Sequence, residues 1–225
     1  MLNYEIDPVI LRPFVPSGTE LDSWNGKTYV SMVGFLFLKT RVRGLAIPFH
    51  QNFEEINLRF YVRRLGPEGW RRGVVFIKEI VPRFAIAAIA RLFYNENYIA
   101  LRTQHRLEIS TENVLAEYAW RFRGRWNRLR VKTTGAASLV QPGSLEEFIT
   151  EHYWGYAAQK HGGCVEYQVE HPHWRIWQTE EVLFDCDIDA LYGQQFSASL
   201  KGKASSAFLA EGSEVTVYGG VKLSP

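Results

Sequence analysis

Only two cysteines, Cys164 and Cys186, occur in 225 residues. They are too few for a disulfide framework and read as buried free thiols of a reducing compartment. Long apolar runs are missing too. The best, from Phe84 to Ala90, is bracketed by Arg83 and Arg91 and falls far short of the roughly 20 residues a bilayer requires. The first twenty residues hold Asp7, Pro8, Arg12, Pro13 and Pro16, with none of the apolar run of a signal peptide. The expectation is a cytoplasmic chain with no membrane association. Net charge is only +2, so no global field draws in DNA or acidic lipid, and any anion site must be local. G-x-S-x-G, the P-loop and G-x-G-x-x-G are all absent, and no cofactor is implied.

Hydrophobic residues make up 46% of the chain and charged residues 22%, a balance that supports a globular core rather than disorder. Aromatic residues reach 14%, which suits sheets, where flat bulky side chains cover neighbouring strands. No repeat or linker divides the chain. The stretch Gly135–Gly143 is the best internal break, yet strand-like patterns flank it, so residues 1–225 read as a single domain.

Tyr29–Leu38 is apolar on both alternating faces, as in a strand covered on both sides. In Glu54–Arg63, Ile56, Leu58, Phe60 and Val62 alternate with Glu55, Asn57, Arg59 and Tyr61. Gly66-Pro67-Glu68-Gly69 turns the chain into a third strand, Gly73–Val81, which Pro82 stops. Arg83–Tyr94 is the strongest helix pattern. Strands are expected at Tyr98–Ile109, Val114–Arg123 and Trp126–Lys132, the last two turning at Gly124. Ser144-Leu145-Glu146-Glu147 is a capping-box pattern opening a short helix to about Tyr153. Cys164–Val169 and Val182–Cys186 read as strands, and Ala207–Ala210 with Val215–Tyr218 as a final hairpin around Glu211–Ser213. Many antiparallel neighbours with two or three helices give the α+β class.

The row Glu55, Asn57, Arg59 and Tyr61 is either a solvated strand face or the polar lining of an enclosed space. Covered neighbouring strands favour the second reading, in which a small-molecule ligand meets the row. Arg121, Arg123, Arg125, Arg128, Arg130 and Lys132 crowd one hairpin with Trp120, Phe122 and Trp126. That mixture marks single-strand nucleic-acid platforms, but it equally fits an amphipathic hairpin with arginines in water, and the small net charge disfavours nucleic acid. His161, Cys164, His171 and His173 match no usual zinc spacing, and Asp185, Asp187 and Asp189 lack the glycine and glutamate of a calcium loop. No metal is expected. Lys78 and Glu79 fall on opposite faces of their strand, which suggests an exposed or edge position for the pair.

The run YVSMVGFLF, the segment IPFHQNFEEINLRFYV, the stretch GVVFIKEIVPR and FITEHYWGY with VEHPHW together resemble the YqjF-like family, whose function is not established. The resemblance covers almost the whole chain. That family is in turn similar to the acetoacetate-decarboxylase-like superfamily. The resemblance implies a large antiparallel, barrel-like sheet around a cavity. The opening YEIDPVILRPFVP resembles that superfamily's first segment, and Phe53-Glu54-Glu55 its aromatic-x-Glu strand, which places Glu55 at an active-site carboxylate. The decarboxylases' lysine pair falls at Tyr98 and Ile99, neither of which can form an imine. The chain starts too late to supply the arginine that precedes the YEIDP-like segment, and the second glutamate falls near Met32 or Val33.

The resulting expectation is a pocket for a small carboxylate or oxo-acid, lined by Glu55, Asn57, Arg59 and Tyr98, without Schiff-base chemistry. Arg59 would hold a carboxylate and Glu55 would orient it or exchange a proton. One alternative is a lyase or isomerase using Glu55 and Tyr98 as catalytic acid and base. Another is a nucleic-acid module built on the Arg121–Lys132 hairpin. A homo-oligomer is compatible with the sequence.

Overall fold

The computed structural model describes residues 1–38, 41–42, 45–46, 52–82, 97–111, 113–159 and 162–223. The predicted helix Arg83–Tyr94 and the candidate ligand His161 lie outside these. Apolar alternation becomes strand wherever it runs longest. The first strands are β1 (Leu2–Ile6), β2 (Glu20–Leu21), β3 (Thr28–Phe37) and a tiny pair, β4 (Arg41–Val42) and β5 (Leu45–Ala46). The long hairpin of β6 (Phe53–Gly66) and β7 (Gly69–Val81) follows, turned by Pro67 and Glu68. The predicted strand Tyr98–Ile109 divides at Leu101 into β8 (Tyr98–Ala100) and β9 (Arg102–Ile109).

A second hairpin joins β10 (Val114–Phe122) to β11 (Arg125–Leu139). Arg123 and Gly124 both have positive φ there, the conformation a two-residue hairpin turn needs and glycine adopts without cost. The later strands are β12 (Trp154–Ala158), β13 (Cys164–Glu170), β14 (Arg175–Asp185), β15 (Ser206–Ala210), β16 (Thr216–Val217) and β17 (Val221–Leu223). Helices are short: α1 (Pro8–Leu11), α2 (Leu145–Thr150), α3 (Ile188–Leu191) and α4 (Ser197–Leu200). The Ser144 hydroxyl accepts from the Glu147 N–H at 3.2 Å, as the capping box requires. Glu147 reaches back to the N–H of Gly143 instead of Ser144, and the helix ends at Thr150, short of Tyr153.

One large sheet runs β16-β13-β12-β7-β6-β3-β1-β15-β14-β11-β10-β9. It is mixed rather than purely antiparallel, since β8 and β12 both pair parallel with β7, at opposite ends of one edge. Among the described residues the ladder does not close into a ring. The segment from β8 to β9 spans its opening, because β8 pairs with β7 while β9 pairs with β10. The expected hairpin of 207–218 does not form. β15 lies between β1 and β14, where its apolar Phe208 is fully buried, and β16 pairs with β13.

The two faces of β6 feed different cores. Ile56, Leu58, Phe60 and Val62 pack inside the curled sheet with Leu2, Met32, Trp120, Leu129 and Phe196. Tyr61 packs on the outer face with Tyr29, Phe148, Ile149 and Phe208, beneath α2. Fully burying a side chain such as Phe60 contributes about 2–3 kcal/mol, so both faces of this strand are strongly fixed. A bulge at Ile77 breaks the β6–β7 register, with Leu58 opposite Lys78 and Arg59 opposite Phe76. No helix among the described residues is long and apolar enough to cross a membrane.

Candidate functional site

Glu55 and Asn57 are 3% and 1% exposed, so their strand face is not solvated. The register sets Val33, Asn57, Glu79 and Tyr98 side by side across β3, β6, β7 and β8. Glu55 lies two residues along the same face. Its Oε1 accepts from Asn57 Nδ2 at 3.1 Å, and its Oε2 accepts from the Tyr98 hydroxyl at 3.3 Å. Burial pushes the Glu55 carboxyl up to about 7, although those two bonds and the Arg59 charge pull the other way. A carboxyl poised near neutrality can both give and take a proton.

Arg59 does not touch Glu55. Its Nη2 donates to the Ile149 carbonyl at 3.3 Å, and its guanidinium lies 5.8 Å from the Tyr61 ring. Asn57 Oδ1 and Arg59 Nε are buried with no protein partner among the described residues. Thus the structure joins Glu55, Asn57 and Tyr98 directly, while Arg59 stands further along the strand.

Sequence reasoning misplaced Glu79. The exposed or edge position expected for Lys78 and Glu79 does not occur, because β7 is flanked on both edges and Glu79 is 1% exposed. The bulge at Ile77 sets Lys78 opposite Leu58 and Glu79 opposite Asn57, which puts Glu79 in the candidate site. The signal was available: a carboxylate in FIKEI, an otherwise apolar strand. Lys78 is half-buried and donates to the Leu191 carbonyl, and burial holds its ammonium below the usual lysine range.

A second buried polar network went unforeseen. Ser31 Oγ donates to Asn3 Oδ1 at 2.6 Å and shares a 2.5 Å bond with the Tyr61 hydroxyl. The His152 ring lies 4.6 Å from the Tyr61 ring, tilted by 35°, and burial lowers its pKa to about 4. His152 Nε2 is 3.8 Å from Asp22 Oδ2, too long for a hydrogen bond, while Arg72 Nε donates to that same oxygen at 2.7 Å. A lone histidine in sequence carries no sign of this.

The remaining candidates resolve into surface structure. Arg121, Arg123, Arg125 and Arg128 are exposed, Arg125 pairs with Asp185, and Lys132 lies 3.3 Å from Glu180. His171 stacks on Trp174 at 4.2 Å, His173 contacts Glu151 at 2.9 Å, and both cysteines are free, Cys164 being buried. Among the described residues no cluster of His, Cys, Asp and Glu could hold a metal ion. A cleft of about 720 Å³ lies between β14 and the 200–204 turn, lined by Tyr4, Phe184, Cys186 and Lys203. It shares no residue with the Glu55 row.

The family model described as DUF2071, an uncharacterized conserved protein, matches residues 1–214. The chain belongs to this family. It is similar to the uncharacterized protein YqjF of Bacillus subtilis (strain 168), with 43% identity over 68 residues, and the match covers 30% of this chain and 28% of that protein. Solved structures give the fold. The enduracididine biosynthesis enzyme MppR complexed with pyruvate matches with a TM-score of 0.65 at 16% identity, over 99% of this chain and 86% of that one. Acetoacetate decarboxylase from Legionella pneumophila matches with a TM-score of 0.61 at 12% identity, over 99% of this chain and 83% of the other. An acetoacetate decarboxylase-like enzyme from Sphingomonas wittichii RW1 matches at 0.61 and 14%, over 99% and 89%. The acetoacetate-decarboxylase-like fold expected from the sequence is therefore the fold of this family member.

Proposed function

We propose that the chain binds a small carboxylate or oxo-acid at the row of Glu55, Asn57, Arg59 and Tyr98, without covalent imine chemistry. The observation that carries this reading is the pair of buried, unpartnered groups on the row, Asn57 Oδ1 and Arg59 Nε. An unsatisfied buried donor and acceptor each cost about 1–3 kcal/mol, which a ligand returning both bonds would recover. Arg59 Nε donates to the ligand carboxylate, Asn57 Oδ1 accepts from a ligand hydroxyl, and Glu55, at about 7, adjusts its proton to the ligand. Fold neighbours point to the same ligand class, since MppR was solved with pyruvate.

The 3.3 Å bond from Tyr98 to Glu55 favours a second reading, an enzyme in which this pair exchanges protons with an oxo-acid. The nucleic-acid alternative has weaker support, because two of the hairpin's cations already face carboxylates.

Isothermal titration with pyruvate and with acetate tests the binding reading. Heat that disappears in Arg59→Gln and weakens several-fold in Tyr98→Phe supports it. The absence of heat with both ligands, or full affinity in Arg59→Gln, rejects it. Turnover of acetoacetate, lost in Glu55→Gln and Tyr98→Phe, would favour the enzyme instead.

A further inference from the structure

A second acid–base constellation lies on the inner face of the curled sheet, away from the Glu55 row. Glu54 points there, opposite Leu36 of β3. Its Oε1 meets His105 Nδ1 at 2.6 Å, and its Oε2 accepts from Thr103 Oγ1 at 2.8 Å. Both oxygens are thereby engaged, so the carboxylate cannot swing away from the imidazole. The side chain of Glu54 is 14% exposed and that of His105 41%, so the imidazole reaches solvent while its carboxylate partner is largely covered. A carboxylate on Nδ1 selects the tautomer with a free, basic Nε2 and stabilises the imidazolium formed when it takes a proton.

Tyr118 stands directly opposite His105 in the β9–β10 ladder. Directly opposed residues place their Cβ atoms about 4.5–5.5 Å apart on the same face. The Tyr118 ring lies against the backbone of Gly34, where an added Cβ would sit 2.7 Å from its Cδ2. Burial and the Glu54 charge push the phenol up to about 12, so it stays protonated and can donate. Its hydroxyl makes no hydrogen bond to another described residue. A clip between β6 and β9 would need the Glu54 contacts alone. It would not account for a phenol on the facing strand with no hydrogen bond of its own.

We infer that Glu54, His105 and Tyr118 form a proton-transfer site for an enolisable carbonyl compound. His105 Nε2 takes a proton from the carbon next to the carbonyl. The C–H electron pair becomes the C=C bond, and the carbonyl π pair moves to oxygen. Tyr118 donates a hydrogen bond to that enolate oxygen, and Glu54 holds the imidazolium. Return of a proton from His105 regenerates the carbonyl, with no oxidant or leaving group involved. The same pairing of base and phenol serves enolisation on unrelated folds.

Loss of the pyruvate and acetone methyl signals in D₂O, followed by proton NMR on the full chain, tests this. Wild type should exceed buffer, and His105→Gln and Tyr118→Phe should each slow exchange at least about tenfold, within the range of single acid–base groups. Tyr118→Phe keeps the ring on Gly34, so its fold is retained while the donor is removed. Glu54→Gln should slow exchange, with partial recovery in Glu54→Asp. Exchange no faster than buffer with both probes overturns the inference. So do full rates in His105→Gln and Tyr118→Phe, or a loss that follows Glu55→Gln alone.

Discussion

Glu54 and Glu55 are consecutive in β6, yet one bonds His105 inside the curled sheet and the other bonds Tyr98 on its outer face. The strand pleat separates them, so neighbours in sequence serve two environments. At Glu54, hydrogen bonds from His105 and Thr103 outweigh a burial cost that alone would raise its pKa, and the carboxyl is held low. At Glu55 burial wins.

Glu55 makes stability fall with rising pH. Its folded value of about 7 exceeds the ordinary 4.5, so its contribution is complete below 4.5 and is lost as pH rises through 7. The loss is on the order of 3 kcal/mol. Urea unfolding at pH 5 and pH 8 should show a slope that Glu55→Gln flattens. An unchanged slope in the variant would mean that this carboxylate is hydrated in the folded chain.

His152 acts in the opposite sense. Its folded value of about 4 lies below the ordinary 6.5, so its contribution is complete above 6.5 and is lost as pH falls through 4. The two groups overlap between 4.5 and 6.5 with opposing slopes. In a Glu55→Gln background, His152→Phe should therefore remove most acid destabilisation between pH 6.5 and 4, read by thermal melting. The same acid loss in both proteins would assign it to other groups.

Gly34→Ala should destabilise by about 1–3 kcal/mol, the usual cost of overpacking. The new methyl would stand 2.7 Å from Tyr118 and 3.3 Å from Leu129, both held in the core. Denaturant melts give the value, and a neutral result would show that Tyr118 turns aside freely.

Borohydride reduction with acetoacetate should leave the intact mass of the chain unchanged. Tyr98 and Ile99 offer no amine, and Lys78 lies on the opposite face of β7 from the Glu55 row, engaged with the Leu191 carbonyl. An adduct mapped to Lys78 would show a Schiff base formed from a different strand.

Much of this architecture is legible in sequence where alternation is long. β3, β6 and β7 are expected within a few residues of where they lie, because each carries a long series of apolar side chains at strand spacing. β12 is five residues ending in two alanines, and the early half of β14 follows the polar turn at His171–His173, so neither stood out. The hairpin at 207–218 failed because pairing was assigned by proximity, while Leu2 and Ala207 are partners. Glu55 and Tyr98, 43 residues apart, were joined only through the family resemblance. Glu79 and Lys78 do lie on opposite faces, as alternation implies, but the expected exposure fails because β8 pairs along the far edge of β7, a long-range contact that the local pattern does not report.

The pairing of β1 with both β3 and β15 also fixes the order of assembly. β3 leaves the ribosome soon after β1, but β15 follows about 200 residues later, at roughly 5–20 residues per second. For that interval the outer edge of β1 is an unpaired template. Such long-range pairing predicts slow, late closure of the sheet, completed only once Ser206–Ala210 emerges.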